Sequence, residues 1–398
     1  MIASIIGAIL LLFPFLLITL FKDKKRGFVY VLFFLILFHT ALAFFTQFFG
    51  IFYYWVIVLF SFLVNLGIIL FFVRQIKFSS LFKIDWVMVL VIIIAFLSLW
   101  QGHYNYTGKI NIAKDTTVSY HEVKNMEYVY PYFSDEWYAV SLVKHSINYH
   151  ALPLWNDLNN SFFPNLEMFF HSFVAEIMLI LNLDPLAQYT LISILFNTLI
   201  ICLAYIFLRI NKVSKLASAI ASLSILYITC GANLPGIWNF IPMHLGIIFC
   251  LIGFCFMAMD KPLIAGLASF PVIFFYGPLF IFYGTGLLVF LAFRFKESIK
   301  RHIAKITPSL IIFFLSVPVF YIILMISPLA NSLKYIISRV FYVSLYGPNI
   351  PIMNFFNIIP IWTILIAILG LIYIFKNIKW FFSALFWELF FGFFIPLP

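Results

Sequence analysis

Charged side chains make up only 10% of this 398-residue chain, and aspartate and glutamate together number 14. A soluble globule of that length needs far more charge to cover its surface, so a water-soluble fold is excluded. Cysteine is equally sparse. Cys202, Cys230, Cys250 and Cys255 all sit in apolar segments without ligand-like spacing, which argues against a metal cluster and predicts small core residues. Long alternations of apolar and polar residues are missing from the apolar runs, which excludes a membrane β-barrel. Basic residues outnumber acidic ones, for a net charge of +10, but they fall in short clusters between apolar runs. That pattern suits an anionic membrane face and not nucleic acid.

The apolar runs themselves are long. Residues 1–21, 28–45, 51–73, 86–100, 187–208, 214–230, 241–259, 262–275, 277–293, 306–327, 358–375 and 380–395 each read as a helix crossing a hydrocarbon core of about 30 Å at about 1.5 Å per residue. The expected fold is an all-α polytopic membrane protein of about twelve transmembrane helices, with amphipathic juxtamembrane helices in a large external loop. Lys22, Lys24, Lys25 and Arg26 follow the first run instead of preceding it, as in a retained span and not a signal peptide. The break at Tyr276, Gly277 and Pro278 predicts two short helices meeting near the outer face. Phe394 to Pro398 closes the chain directly after an apolar run, as expected of a truncated protein.

Residues 165–183 are apolar too, yet carry Glu167, His171, Glu176 and Asn182. If this segment does not cross, 18 of the 24 basic residues share one side and 6 the other; if it does, the split becomes 9 and 15. The positive-inside rule favours the first arrangement. The segment is then expected to lie at the outer surface as an amphipathic helix, or to be re-entrant. The N-terminus is placed outside, with external loops at 101–186 and 328–357. Three parts follow: leading spans at 1–85, a central module at 86–357, and two closing spans at 358–398.

Nine of the 14 acidic residues and five of the eight histidines lie within 101–186. There Ser134 reads as a helix N-cap, followed by Asp135 and Glu136, with a helix running to about Asn148. Val140, Val143 and Ile147 form its apolar face, and Asp135, Tyr138, Leu142 and His145 line a neighbouring one. An acidic pair in a first turn also complements the helix dipole. At a membrane surface, however, one of these carboxylates meets lipid head groups and an external acceptor together. It is then placed to act as general base, taking a proton from an acceptor that attacks a sugar carbon while a lipid phosphate leaves. Asp135 and Glu136 are the catalytic candidates. Tyr138, His145 and Asp157 are candidate substrate contacts. Lys144, beside the acidic pair, and Lys334 and Arg339, the only bases in the second loop, are candidates to hold the departing phosphate. Asp135, Glu136, His145, His150, Asp157, Glu167 and His171 offer metal-ligand chemistry without a diagnostic spacing, so no obligatory metal is expected, although a divalent cation is compatible with the set.

With Asp135-Glu136-Trp137-Tyr138, Leu152-Pro153-Leu154-Trp155-Asn156-Asp157, Phe163-Pro164-Asn165-Leu166 and Leu183-Asp184-Pro185-Leu186, the chain resembles the GT-C superfamily of membrane glycosyltransferases over roughly residues 86–357. This superfamily includes protein O-mannosyltransferases, oligosaccharyltransferase catalytic subunits and lipid A aminoarabinose transferases. The resemblance implies Asp135 as catalytic base, with Glu136 as its alternate, and a polyprenyl-phosphate sugar as donor. It also implies juxtamembrane helices in the first loop and a second functional loop after the seventh span of the module, which is 306–327 when 86–100 counts as first. Three extra leading spans, a single proline at Pro164 and the lack of a soluble C-terminal domain depart from the family pattern.

The expected function is transfer of a sugar, with inversion, from a lipid-linked donor to an external glycan, lipid or protein acceptor. A polysaccharide polymerase or ligase is the alternative among enzymes, though such proteins usually rely on external arginines and the first loop has none. A lipid-linked substrate transporter or flippase is the other class. The spans offer it only His39, Gln47, Asn65, Asn197 and His244, with no acidic residue expected inside the bundle.

Overall fold

The computed structural model describes residues 2–76, 85–114, 117–127, 134–163, 165–227, 240–293 and 299–326. The expected spans at 358–375 and 380–395 and the second loop, with Lys334 and Arg339, lie outside the described residues. The described chain is mostly helical. Helix α1 (Ile2–Leu12) tightens into a 3-10 turn at Phe13–Leu20, where Pro14 stands at its start. It is followed by α2 (Lys24–Phe48), α3 (Tyr54–Phe72) and α4 (Trp86–Tyr104). After a loop region come α5 (Ser134–Tyr149), α6 (Met168–Ile180), α7 (Pro185–Ile210) and α8 (Lys215–Leu223). Then α9 (Pro242–Ala258), α10 (Pro262–Leu267), α11 (Ser269–Phe275), α12 (Pro278–Phe293) and α13 (Ile299–Ile326) complete the set. Five segments among the described residues are long and apolar enough to cross a membrane: Ile2–Leu20, Lys24–Phe48, Tyr54–Phe72, Trp86–Tyr104 and Pro185–Ile210.

Local chemistry sets the helix boundaries. Asp184 caps α7, its Oδ1 accepting from the Leu186 N–H at 3.0 Å, with Pro185 in the first turn where a missing donor costs nothing. Ser214 caps α8 in the same way. Asn182, Lys212 and Asp260 each adopt positive φ just past α6, α7 and α9, a left-handed turn that lets the next N–H reach back to a terminal carbonyl. Pro278 opens α12 two residues after Tyr276 ends α11.

Helices α2, α6, α7 and α9 form the centre. Phe33 of α2 packs edge-to-face on Phe249 and Phe256 of α9. In contrast, α3 and α4 leave Leu70, Phe71, Trp86 and Leu97 exposed, as helices bordering lipid do. At one end of α7, Tyr205 donates to Asp85 at 3.2 Å and Lys215 lies 3.6 Å from the same carboxylate. At the other end, Tyr189 donates to the Phe240 carbonyl at 2.6 Å, against α5.

One feature departs from the expected all-helical arrangement. The strands β1 (Tyr106–Lys114) and β2 (Thr117–Met126) form an antiparallel ribbon beside α4, with Asn111 opposite Tyr120. Their threonines, isoleucines, valines and tyrosine favour the pleated backbone once the chain has left α4. A two-residue pair, β3 (Trp155–Asn156) with β4 (Ser161–Phe162), follows α5. Helix α6 covers the segment expected at the outer surface or re-entrant. Its 13 residues give a length of about 20 Å, short of a full crossing. It is enclosed by α1, α2, α3, α5, α9 and α11, and nearly every side chain on it is buried. Its N-terminus lies at the α5 end of the bundle, where Asn165 donates to the Pro153 carbonyl.

Candidate functional site

The site is built on the first turn of α5. That helix begins at Ser134, and its buried face is wider than its apolar pattern suggested: Glu136, Ala139, Val140, Leu142, Val143 and Ser146 all point inward. Leu142, expected beside Asp135, belongs to this inner face. Asp135, Tyr138 and Lys144 stay exposed. The two adjacent carboxylates are thus separated by the helical turn itself. Asp135 faces out, whereas Glu136 is buried and accepts the Phe240 N–H at 2.8 Å. This charge-assisted bond anchors the start of α9 to α5.

The partner of Asp135 is Glu167, at the N-terminus of α6. A chain of side chains puts it there. Asn165 donates to the Pro153 carbonyl at 2.8 Å while its Oδ1 accepts the Glu167 N–H at 3.0 Å. His171, one turn into α6, lies 3.1 Å from Asn165 Nδ2 and 3.0 Å from the Glu167 carbonyl. Partial burial and the neighbouring Asp135 carboxylate together push the Glu167 pKa from 4.5 up to about 7. Tyr276, between α11 and α12, closes the same space; burial first, then the charges of Glu167 and Asp135, raise its phenol above its ordinary value. Two carboxyls and a phenol therefore influence one another at one end of the bundle, and of the carboxyls it is Glu167 whose proton is held up to near neutrality.

The other candidates divide. Tyr138 stacks on Phe163 at 6.0 Å, beside the segment that carries Glu167. His145 and Asp157 pair at 3.0 Å, but they lie about 15 Å further along α5 at 1.5 Å per residue, away from Asp135. Behind them Ser141 donates to Asn156 at 2.9 Å, fastening the Leu152–Asp157 stretch to the helix. His150 donates to the Phe52 carbonyl at 2.7 Å, so it ties α5 to α3. Among the described residues, no three His, Cys, Asp or Glu side chains gather as a ligand set. Sequence reasoning did not join Glu167 to Asp135 and missed Tyr276 and Phe240 entirely; only the Tyr-Gly-Pro helix break marked that corner.

One further expectation is overturned. The bundle does hold an acid: Glu176 of α6 is fully buried with His39 of α2, at 2.7 Å between Oε1 and Nδ1. It was missed because 165–183 was read as peripheral.

Helices of this length and apolarity, with the ends just described, define a protein integral to a membrane. No family model, curated protein or solved structure matches the chain.

Proposed function

We propose that this protein is a membrane glycosyltransferase that moves a sugar from a polyprenyl-phosphate-linked donor to an acceptor at the α5 end of the bundle. The reading places it in the cell membrane with that end extracytoplasmic. The observation that carries it is the placing of the exposed Asp135 carboxyl at the first turn of α5 beside Glu167, whose own pKa is pushed up to about 7. The Asp135 carboxylate takes the acceptor proton as the acceptor oxygen attacks the anomeric carbon. The bond from that carbon to the phosphate oxygen breaks, and polyprenyl phosphate leaves with the electron pair. Protonated Glu167 donates a hydrogen bond to the departing phosphate, where negative charge grows. A single displacement inverts the anomeric carbon. Glu136 serves this reading as a positioning residue, since its carboxylate is already engaged by Phe240. Lys144 lies nine residues along α5 from Asp135, beside His145 and away from the acidic end, and Lys334 and Arg339, which this reading assigns to the phosphate, stand outside the described residues.

The test is transfer of labelled sugar from polyprenyl-phosphate donors to acceptors in membranes holding equal amounts of each variant. Asp135→Asn is expected to lose about 10²- to 10⁴-fold in rate, the range for removing a general base. Full activity in that variant sinks the proposal. A second reading, a carrier of a lipid-linked substrate, draws on the buried Glu176. It gains if wild-type protein transfers no sugar yet moves labelled lipid between leaflets.

A further inference from the structure

The seam between α2 and α6 carries polar pairs beside the stacked rings of Phe44 and Phe169. On α6, Ser172 and Glu176 are four apart on the side toward α2, while Glu167 at its N-cap and His171 are four apart on another side. On α2, His39 and Gln47 face Ser172 and Glu176. Ser172 donates to Gln47 Oε1 at 2.6 Å, and His39 Nδ1 lies 2.7 Å from Glu176 Oε1. His39, Gln47, His171, Ser172 and Glu176 are all less than 5% exposed. Two atoms in this dry row, Glu176 Oε2 and Gln47 Nε2, have no hydrogen-bond partner. Burying an unsatisfied polar atom costs about 1–3 kcal/mol, more when it is charged, and ionisable groups inside a membrane bundle are rare without a task.

We propose that His39 and Glu176 form a buried proton-binding site, and that the seam through Ser172, Gln47 and His171 connects it to the Asp135–Glu167 end of the bundle. With a proton on Glu176 both groups are neutral: the carboxyl donates to His39 Nδ1, and the imidazole hydrogen is on Nε2. When the pair gives up one proton, the carboxyl proton passes to Nδ1 and the Nε2 proton leaves, so that the carboxylate accepts from the Nδ1–H of a neutral imidazole. No covalent bond between heavy atoms changes; one proton is taken up or released. Among the described residues His39 is the ionisable group bonded to Glu176. The other titratable groups on elements packed around α6 are Lys24, Lys25, Arg26 and Tyr30 on α2, Tyr54 on α3, Asp135, Glu136, Tyr138, Lys144, His145 and Tyr149 on α5, and His244, Cys250 and Cys255 on α9. The inference does not depend on the transferase reading.

Infrared difference spectroscopy of the full chain in liposomes, stepped across about pH 4 to 10 to cover the ordinary range from carboxylates to lysine, tests it directly. A protonated carboxyl band is expected that titrates, shifts when glutamate carboxyls carry carbon-13, disappears in Glu176→Gln and changes position in His39→Gln. A titrating band that ignores the glutamate label, or no such band in the labelled wild type, overturns the site without reference to any variant's folding. Survival of the band unchanged in a folded Glu176→Gln protein also overturns it. For the connection, exchange of that band into deuterium oxide is expected to slow by roughly tenfold or more in the Gln47→Leu, Ser172→Ala double variant. An unchanged exchange rate overturns the route.

Discussion

Asp135 and Glu136 are neighbours in sequence with opposite surroundings, and the difference is measurable. Glu136→Ala leaves the Phe240 N–H buried without its acceptor. It is expected to destabilise the protein by about 1–3 kcal/mol, read as a lowered midpoint in denaturant unfolding. Glu167 offers a second test. Its folded-state pKa, about 7, lies above its ordinary 4.5, so the folded protein holds that proton more tightly than the unfolded chain. The resulting stabilisation is fully present below about pH 4.5 and is lost as pH rises through about 7. A melting-temperature profile against pH is expected to show this step in wild type and to lack it in Glu167→Gln. Removing the repelling charge with Asp135→Asn is expected to move the step to lower pH, though not all the way, because burial is the larger cause. The helix start at Ser134 and the candidacy of Asp135 were legible in the sequence, since capping is a local signal. The Glu167 and Tyr276 neighbours were not, because nothing in a sequence states which distant loop closes over a helix terminus.

Helix α6 illustrates the limit of periodicity. The balance of basic residues set it at the outer surface or re-entrant, and periodicity did not say that Glu176 faces His39 of α2 or that His171 turns to Asn165. Close approach at its far end requires glycine: a Cβ on Gly7 of α1 would lie 2.0 Å from the Ile180 carbonyl oxygen. Gly7→Ala is therefore expected to separate α1 from α6 and destabilise the protein by about 1–3 kcal/mol. Gly67, on α3 with open space around it, is the control, where the same change is neutral within about 0.5 kcal/mol apart from helix propensity. The ribbon β1–β2 was overlooked for a related reason. Apolar runs dominate the composition, and a short alternating stretch between them registers as loop.

The arrangement of the whole chain makes a sidedness prediction. A path in which residues 165–183 do not cross predicts that Asp157→Cys and Asp184→Cys react with an impermeant thiol reagent from the same side of the membrane, and Lys212→Cys from the other. Labelling of positions 157 and 184 from opposite sides contradicts that path. The three described native cysteines, Cys202, Cys250 and Cys255, are buried and leave the background low once Cys230→Ser is added.

The sequence alone determined that this chain is a bundle of apolar helices, because lipid leaves the backbone few ways to satisfy its hydrogen bonds and the runs are too long and too uniform for any other. Which polar groups meet was decided only by the packed fold. Asp135 with Glu167, Glu136 with Phe240 and His39 with Glu176 are pairs far apart in the chain, brought together because α6 packs inside the bundle, where a buried polar group is costly unless another polar group faces it.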